Sequence, residues 1–331
     1  MAGQPPCDQR LRYVTEAMSQ SPEILRDDAK GAARAAALLQ AGALVGLPTE
    51  TVYGLAADAR NDTAVARVFE AKGRPSFNPL IVHVPDLDMA GQIAVLGSEA
   101  IALARAFWPG PLTLVLSLRP GHGLSALVTA GLPTVALRIP AHPAMQAVLA
   151  AFGGPIAAPS ANPSGRISPT EAGHVVAGLG KQVAAVLDAG PCGVGVESTI
   201  LDPGPPPRLL REGGIAREVL EAMMGPLADD TTPERIRAPG QLASHYAPSV
   251  TLRYGGAVPE GAVTIGFGPG DADFNLSGAG DLTEAAATLF RHLHAADALA
   301  KARGAPVIHV AEVPDVGLGR AINDRLRRAS A

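Results

Sequence analysis

The strongest constraint on this chain is an alternation of short apolar runs with stretches patterned as amphipathic helix. The runs are Ala43 to Leu47, Leu80 to Val84, Leu112 to Leu118, Thr134 to Ile139, Ile156 to Ala158 and Val183 to Leu187. Helical spacing appears near 62–71, 98–107, 142–151 and 170–178. Ser21-Pro22-Glu23 reads as a helix start, with Gly42 closing that helix after an Ala/Leu-rich stretch. The pattern predicts an α/β fold. Several runs follow one another with no helix between, which favours a twisted mixed sheet over a purely parallel one and leaves the strand order open.

The period fades between Met223 and Val250, where Pro226, Pro233, Pro239 and Pro248 crowd together with Asp229, Asp230, Thr231 and Thr232. This divides the chain into residues 22–222, an extended connector over 223–249, and a small α/β unit over 250–331. The last has apolar runs at Val250 to Leu252, Ala262 to Ile265 and Pro306 to Val310, and helices near 282–300 and 317–328. With 47% hydrophobic and 18% charged residues, 331 residues can build packed cores. A net charge of -4 excludes a uniformly basic chain that coats nucleic acid. Cys7 and Cys192 stand far apart, so no disulfide or zinc framework is expected. Neither a signal core nor a run long enough to span a bilayer is present, which makes a soluble cytoplasmic protein the expectation.

The charges are unevenly placed. No Asp or Glu occurs between Glu99 and Glu171, whereas Arg105, Arg119, Arg138 and Arg166 all lie there. Any one of these arginines is as well read as a solvated surface residue; together they suggest a groove for an anion. Lys72, one of only four lysines, sits two residues before Arg74 across Gly73. Alone, such a tripeptide reads as complementation of a helix dipole; in context a Lys and an Arg can converge on one phosphate chain. That context is three loops rich in Gly, Pro, Ser and Thr beside expected strand ends, at 48–54, 109–113 and 158–165. They offer backbone N–H groups and hydroxyls to a ligand.

Standard nucleotide signatures are missing. None of the lysines precedes Ser or Thr, which rules out a Walker A loop, and the loose GxGxxA at 121–126 has no acid within reach to hold a ribose. HExxH and GxSxG are absent as well. Of eight histidines only His83 and His245 stand in motif-like surroundings, and Glu50, Asp58 and Glu197 read as braces for loops.

The segments LPTETVYGL (47–55), EAKGRPSFNPLIVHV (70–84), WPGPLTLVL (108–116), TVALRIP (134–140), APSANPSGRISPT (158–170), GVESTILD (195–202), LLREGGI (209–215) and SHYAP (244–248) are carried in that order. In them the chain resembles the YrdC-type threonylcarbamoyl-AMP synthase family in its long, two-domain form. IGFGP (265–269) and GLGRAINDRL (317–326) resemble that family's accessory domain. The resemblance implies a YrdC-like catalytic fold followed by a small Rossmann-like α/β domain. It also implies a reaction joining L-threonine, bicarbonate or CO2, and ATP, with Mg2+ accompanying the ATP. The products would be threonylcarbamoyl-AMP and pyrophosphate, the former for modifying a tRNA adenosine beside the anticodon.

Carried over by motif, Lys72 and Arg74 are the catalytic cations. The ATP site would comprise Lys72, Arg74, Asn78, Thr134, Ser160, Ser168, Arg211 and Tyr246, with Tyr246 on a linker that folds over the nucleotide. Threonine would meet Thr51, His83, Arg138, Ala158 and Ser198. No protein metal ligand is implied. Gln241 departs from the family pattern, in which Met often follows the linker glycine. Contact with tRNA or with a downstream threonylcarbamoyl transferase, and no membrane association, complete the expectation. Two other readings stay open on the residues alone: an RNA-binding protein that uses the basic groove without catalysis, and an enzyme that handles carbamoyl phosphate.

Overall fold

A computed structural model describes residues 21–75, 77–229 and 245–331; Cys7, Gln241 and Ser244 lie outside these. The chain begins β1 (Glu23–Arg26), α1 (Ala29–Gln40), β2 (Val45–Leu47), β3 (Gly54–Asp58), α2 (Asp62–Lys72) and β4 (Ile81–His83). It continues α3 (Leu87–Ile93), α4 (Ser98–Phe107), β5 (Leu112–Ser117), α5 (Ala126–Thr129), β6 (Thr134–Arg138), α6 (Pro143–Phe152) and β7 (Ile156–Ala157). Then come α7 (Ala172–Leu179), β8 (Ala185–Asp188), β9 (Thr199–Asp202), β10 (Arg208–Arg211), α8 (Arg217–Met224) and β11 (Ala228–Asp229). These strands form one sheet in the order β1-β8-β2-β3-β7-β4-β6-β5-β9-β10-β11. Parallel and antiparallel pairs are mixed, as the irregular spacing of apolar runs required: β4 runs parallel to β6 but antiparallel to β7.

The expected helix start at Ser21 is overturned. Glu23–Arg26 pairs in parallel with β8 as an edge strand, Leu25 buried and its neighbour Ile24 exposed. The helix starts later, where Asp28 accepts a hydrogen bond from the Gly31 N–H at 2.8 Å. Gly42, at φ +78°, does close it. β3 escaped sequence reading because Gly54, Ala56 and Ala57 carry no β-branched signal.

Residues alternate across the sheet. Val45, Leu47 and Ala56 join α1 and α6 on one face, while Leu44, Leu55 and Ala57 join α2 and α4 on the other. Helices therefore cover both faces at the β1 end. Farther along the first face, Ile81, Val115, Ala136, Ile200 and Leu210 form only a small cluster of their own. This is the floor on which the site is built.

Residues 250–331 supply β12 (Thr251–Tyr254), β13 (Val263–Gly266), β14 (Phe274–Asn275), α9 (Leu282–Arg303), β15 (Val307–Val310) and α10 (Leu318–Ala329). The four strands are all parallel, in the order β12-β15-β13-β14, consistent with a small Rossmann-like unit. Its core reaches into the first unit, taking in Val52, Ile167 and Val196, each from a motif loop, and Tyr246 of the connector. Among the described residues no helix is long and apolar enough to cross a membrane.

The two units pack tightly at Gly195, whose φ is +75° and where a Cβ would stand 2.4 Å from the Ala286 carbonyl oxygen and 2.5 Å from the Ala287 Cα of α9. Gly195→Ala combines a strained backbone with an overlap that only separation of the units can relieve. It should cost about 2 kcal/mol or more in a urea titration, and a loss below 0.5 kcal/mol would contradict this packing.

Candidate functional site

Period-2 alternation carries the apolar floor into a polar patch. On β4 and β6 the residues after Ile81 and Ala136 on the same face are His83 and Arg138, which are themselves paired across the strands. On β5, Thr113 precedes Val115, and its hydroxyl lies 2.7 Å from that of Ser198, just before β9. Arg211 reaches this face only through a bulge: Leu209 pairs with Leu201 but Arg211 pairs with Ile200, so one extra residue on β10 reverses the side on which Arg211 emerges. There its Nε donates to the Ser198 carbonyl at 3.0 Å.

Arg138 is braced from three sides. Its Nε donates to the Gly110 carbonyl at 3.1 Å, its Nη1 to the Thr51 hydroxyl at 2.9 Å, and its Nη2 lies 2.6 Å from Glu50. Burial alone would raise the Glu50 carboxyl, but the Arg138 guanidinium and backbone hydrogen bonds together outweigh it and the net direction is down.

Lys72 ends α2, and Gly73, at φ +58°, turns the chain so that Arg74 also points inward. The Lys72 ammonium donates to the carbonyls of Ser160 (2.6 Å) and Asn162 (2.5 Å), not to those of its own helix, so dipole complementation is not its role. Arg74 donates to the Asn78 side chain at 2.6 Å and to the carbonyls of Asn78 and Pro79. These acceptors are neutral: they fix both cations in place without cancelling the charge. Burial, reinforced by the neighbouring Arg74, pushes the Lys72 ammonium well below its ordinary pKa. Burial and Arg211 likewise push Arg74 down to about 10.

The opposite wall is Glu197 with His245 and Tyr246 of the connector, backed by the C-terminal unit. Glu197 takes the Ser168 hydroxyl on Oε1 at 2.5 Å and Arg325 Nε, from α10, on Oε2 at 3.0 Å. Burial would raise this carboxyl, but Arg325 and Arg211 hold it down. Tyr246 is buried against His245, Phe290 and the Arg325 guanidinium, with its backbone at φ +65°. A non-glycine residue persists in that region only where its surroundings over-determine it.

One cavity is lined by Thr51, Arg74, His83, Arg138, Ala158, Ser160, Ser198, Arg211 and Tyr246 of the expected residues. Lys72, Asn78 and Ser168 stand one hydrogen bond behind this lining. Thr134 is not brought in. It pairs with Ser117 at the far end of β6, about 13 Å from Arg138 at the usual strand rise. Glu50 and Glu197, read as loop braces, do brace, and both face the arginines of the site. Thr49, Val52 and His245 also line the cavity. Arg325 had no sequence signal for a role here; its α10 motif carries it, but only folding shows where it points.

His83 and His245 are pushed down to about 3, first by burial and then by adjacent cations, although Glu197 pulls His245 the other way. Both are therefore neutral near pH 7. The unfolded chain takes up a proton on each near pH 6.5 and the folded protein does not, so this stability is complete above about 6.5 and is lost as pH falls toward 3. The loss between pH 7 and pH 5 is about 2 kcal/mol per group. In urea titrations at those two pH values, His83→Asn should shrink the wild-type difference by about that amount; an unchanged difference would show that His83 titrates normally.

Comparison with known proteins agrees with this geometry. A Sua5/YciO/YrdC family profile, described as "Telomere recombination", matches residues 37–213, and a profile described as "Threonylcarbamoyl-AMP synthase, C-terminal domain" matches 215–331. The chain is 48% identical over 234 residues to a threonylcarbamoyl-AMP synthase of Bacillus subtilis, covering 69% of this chain and 67% of that one. It is 39% identical over 325 residues to one of Pyrococcus abyssi, covering 89% and 93%. The crystal structure of P. abyssi Sua5 complexed with L-threonine superposes with a TM-score of 0.85 at 37% identity, covering 93% of this chain and 97% of that one. With both halves matched in order and the whole fold shared, the chain belongs to the threonylcarbamoyl-AMP synthase family in its two-domain form.

Proposed function

We infer that the protein condenses L-threonine, CO2 or bicarbonate, and ATP into threonylcarbamoyl-AMP with release of pyrophosphate. One observation carries this reading. Among the described residues, the buried charged side chains are Lys72, Arg74, Arg138, Arg211 and Arg325 against Glu197, and all six belong to this one cluster. Buried charges are rare because desolvation is costly. A surplus of buried cations in one cavity is therefore poised for a polyanion.

In this reading, threonine lies toward β4, β6 and the Thr49–Thr51 turn. Arg138 faces its carboxylate, the hydroxyls of Thr51 and Ser198 meet its polar groups, neutral His83 offers a ring nitrogen, and Ala158 supplies a backbone contact. The triphosphate lies toward Lys72, Arg74, Ser160 and Arg211. The amine of threonine adds to CO2 to form a carbamate, releasing a proton. A carbamate oxygen then attacks the α-phosphorus, and the bond from that phosphorus to the bridging oxygen of the leaving pyrophosphate breaks.

No nucleophilic side chain is required. The protein aligns the reactants and neutralises charge that builds on the leaving group, using donors already held by Ser160, Asn162, Asn78 and Pro79 carbonyl or amide oxygens, so little reorganisation is needed. Tyr246 would shield the adenylate from water. Mg2+ would enter on the phosphate oxygens; the two carboxylates at the cavity already face arginines, and no cluster of three or more His, Cys, Asp or Glu suited to a metal occurs among the described residues. The product carries an activated acyl group for a tRNA adenosine, which makes tRNA or a receiving transferase the expected partner.

The direct test is incubation of purified protein with ATP, threonine, bicarbonate and magnesium, with mass spectrometry for the adenylate. Threonine-dependent product without RNA is expected; RNA binding alone, or dependence on carbamoyl phosphate instead of threonine, would overturn the assignment. Lys72→Ala and Arg74→Ala should each lower kcat/KM for ATP at least 100-fold, the scale of one lost transition-state donor. Arg138→Ala should instead raise the KM for threonine most.

A further inference from the structure

We propose that Arg325, supplied by the C-terminal helix, is a positioning residue for the nucleotide site: it cancels the Glu197 charge so that Glu197 can hold Ser168 without repelling the triphosphate, and it presses Tyr246 into place. This rests on the synthase reading above and concerns how the second unit serves it.

Glu197 presents a conflict. One of its oxygens fixes the Ser168 hydroxyl at 2.5 Å, so the loop 158–170 depends on it. Yet it also lines the cavity that the phosphates would enter, where a bare carboxylate would repel them and draw off the charge of Arg211. In a low-dielectric interior such repulsion is severe. Arg325 resolves the conflict from behind. Its side chain is 0% exposed and it lies outside the cavity lining, so it faces Glu197 and not the ligand. Its Nε meets Oε2 at 3.0 Å, the oxygen that Ser168 does not use. Its Nη1 donates to the Glu212 carbonyl at 2.6 Å, next to Arg211, tying the helix to the bulged strand.

The same guanidinium carbon lies 5.5 Å from the Tyr246 ring centroid. The connector is clasped on both sides at this point: the His245 N–H donates to the Arg328 carbonyl at the end of α10, and the Ala247 N–H donates to the Gly165 carbonyl. Arg325 thus links three things that must be in register for nucleotide to bind: the loop carrying Ser168, the strand carrying Arg211, and the residue that covers the cavity. The C-terminal unit is part of the site and not an appendage to it.

Steady-state pyrophosphate release by the full-length protein, with ATP and threonine varied separately, tests this. Arg325→Gln should raise the KM for ATP at least tenfold while leaving that for threonine within threefold. Adding Glu197→Gln removes the charge that Arg325 cancels but not the lost contact with Tyr246, so the double variant should lower the ATP KM at least threefold below that of Arg325→Gln. A folded Arg325→Gln with unchanged ATP KM, with both KM values raised equally, or without rescue by Glu197→Gln would overturn the proposal. Should Arg325→Gln not fold, Arg325→Lys, which keeps the charge, decides: an ATP KM within threefold of wild type supports the proposal, and a tenfold rise refutes it. Wild-type protein lacking threonine-dependent pyrophosphate release would instead refute the synthase reading itself.

Discussion

The structure turns on positive charge that is buried and held by neutral partners. Lys72 rests on two backbone carbonyls, and Arg74 rests on two carbonyls and an amide. A carboxylate in those places would satisfy each cation and end its usefulness to a ligand. A carbonyl fixes its direction and leaves the charge for an incoming anion. Such a site is costly to the folded protein, since desolvation disfavours each charge. Surrounding elements offset that cost: the left-handed turn at Gly73, the bulge in β10, and the well-packed cores on either side.

Where carboxylates do occur, each has a specific duty. Glu50 holds Arg138 beside Thr51, at the end of the cavity assigned to the amino acid. Glu197 orders Ser168 and is answered by Arg325. The two cores meet at the same place, because Val52, Ile167 and Val196 leave the motif loops to pack with α9 and α10. His174 of α7 and His294 of α9 stack at 3.8 Å across the same junction, and His294 Nε2 lies 3.1 Å from the Ser168 carbonyl oxygen. The C-terminal unit thus packs directly on the loop that carries Ser168.

Most of the site was legible before any coordinates. Ser160 stands in a loop whose composition already suggested ligand contact, Lys72 and Arg74 flank a glycine in an arrangement suited to a phosphate chain, and Asn78, Ser168, Arg138 and His83 lie in matching motifs. Thr134 stands apart from the cavity lining because a motif does not tell which end of a strand borders the cavity; it sits at the start of β6, and Arg138 at its finish. β1 was misread as helix because Ser-Pro-Glu is a sound local helix start that loses to parallel pairing with β8, a partner about 160 residues away.

From the sequence alone follow the α/β class and the cations that the cavity gathers, because these rest on local periodicity and on residue chemistry. Tertiary structure alone showed how Arg211, expected from its motif, is turned to the cavity, since a bulge has no composition signal, and that Arg325 joins the site, since nothing near residue 325 encodes a carboxylate at 197. It also decided that Lys72 and Arg74 are held by neutral acceptors. That depends on whether carbonyls or carboxylates surround them, which only the folded chain can settle.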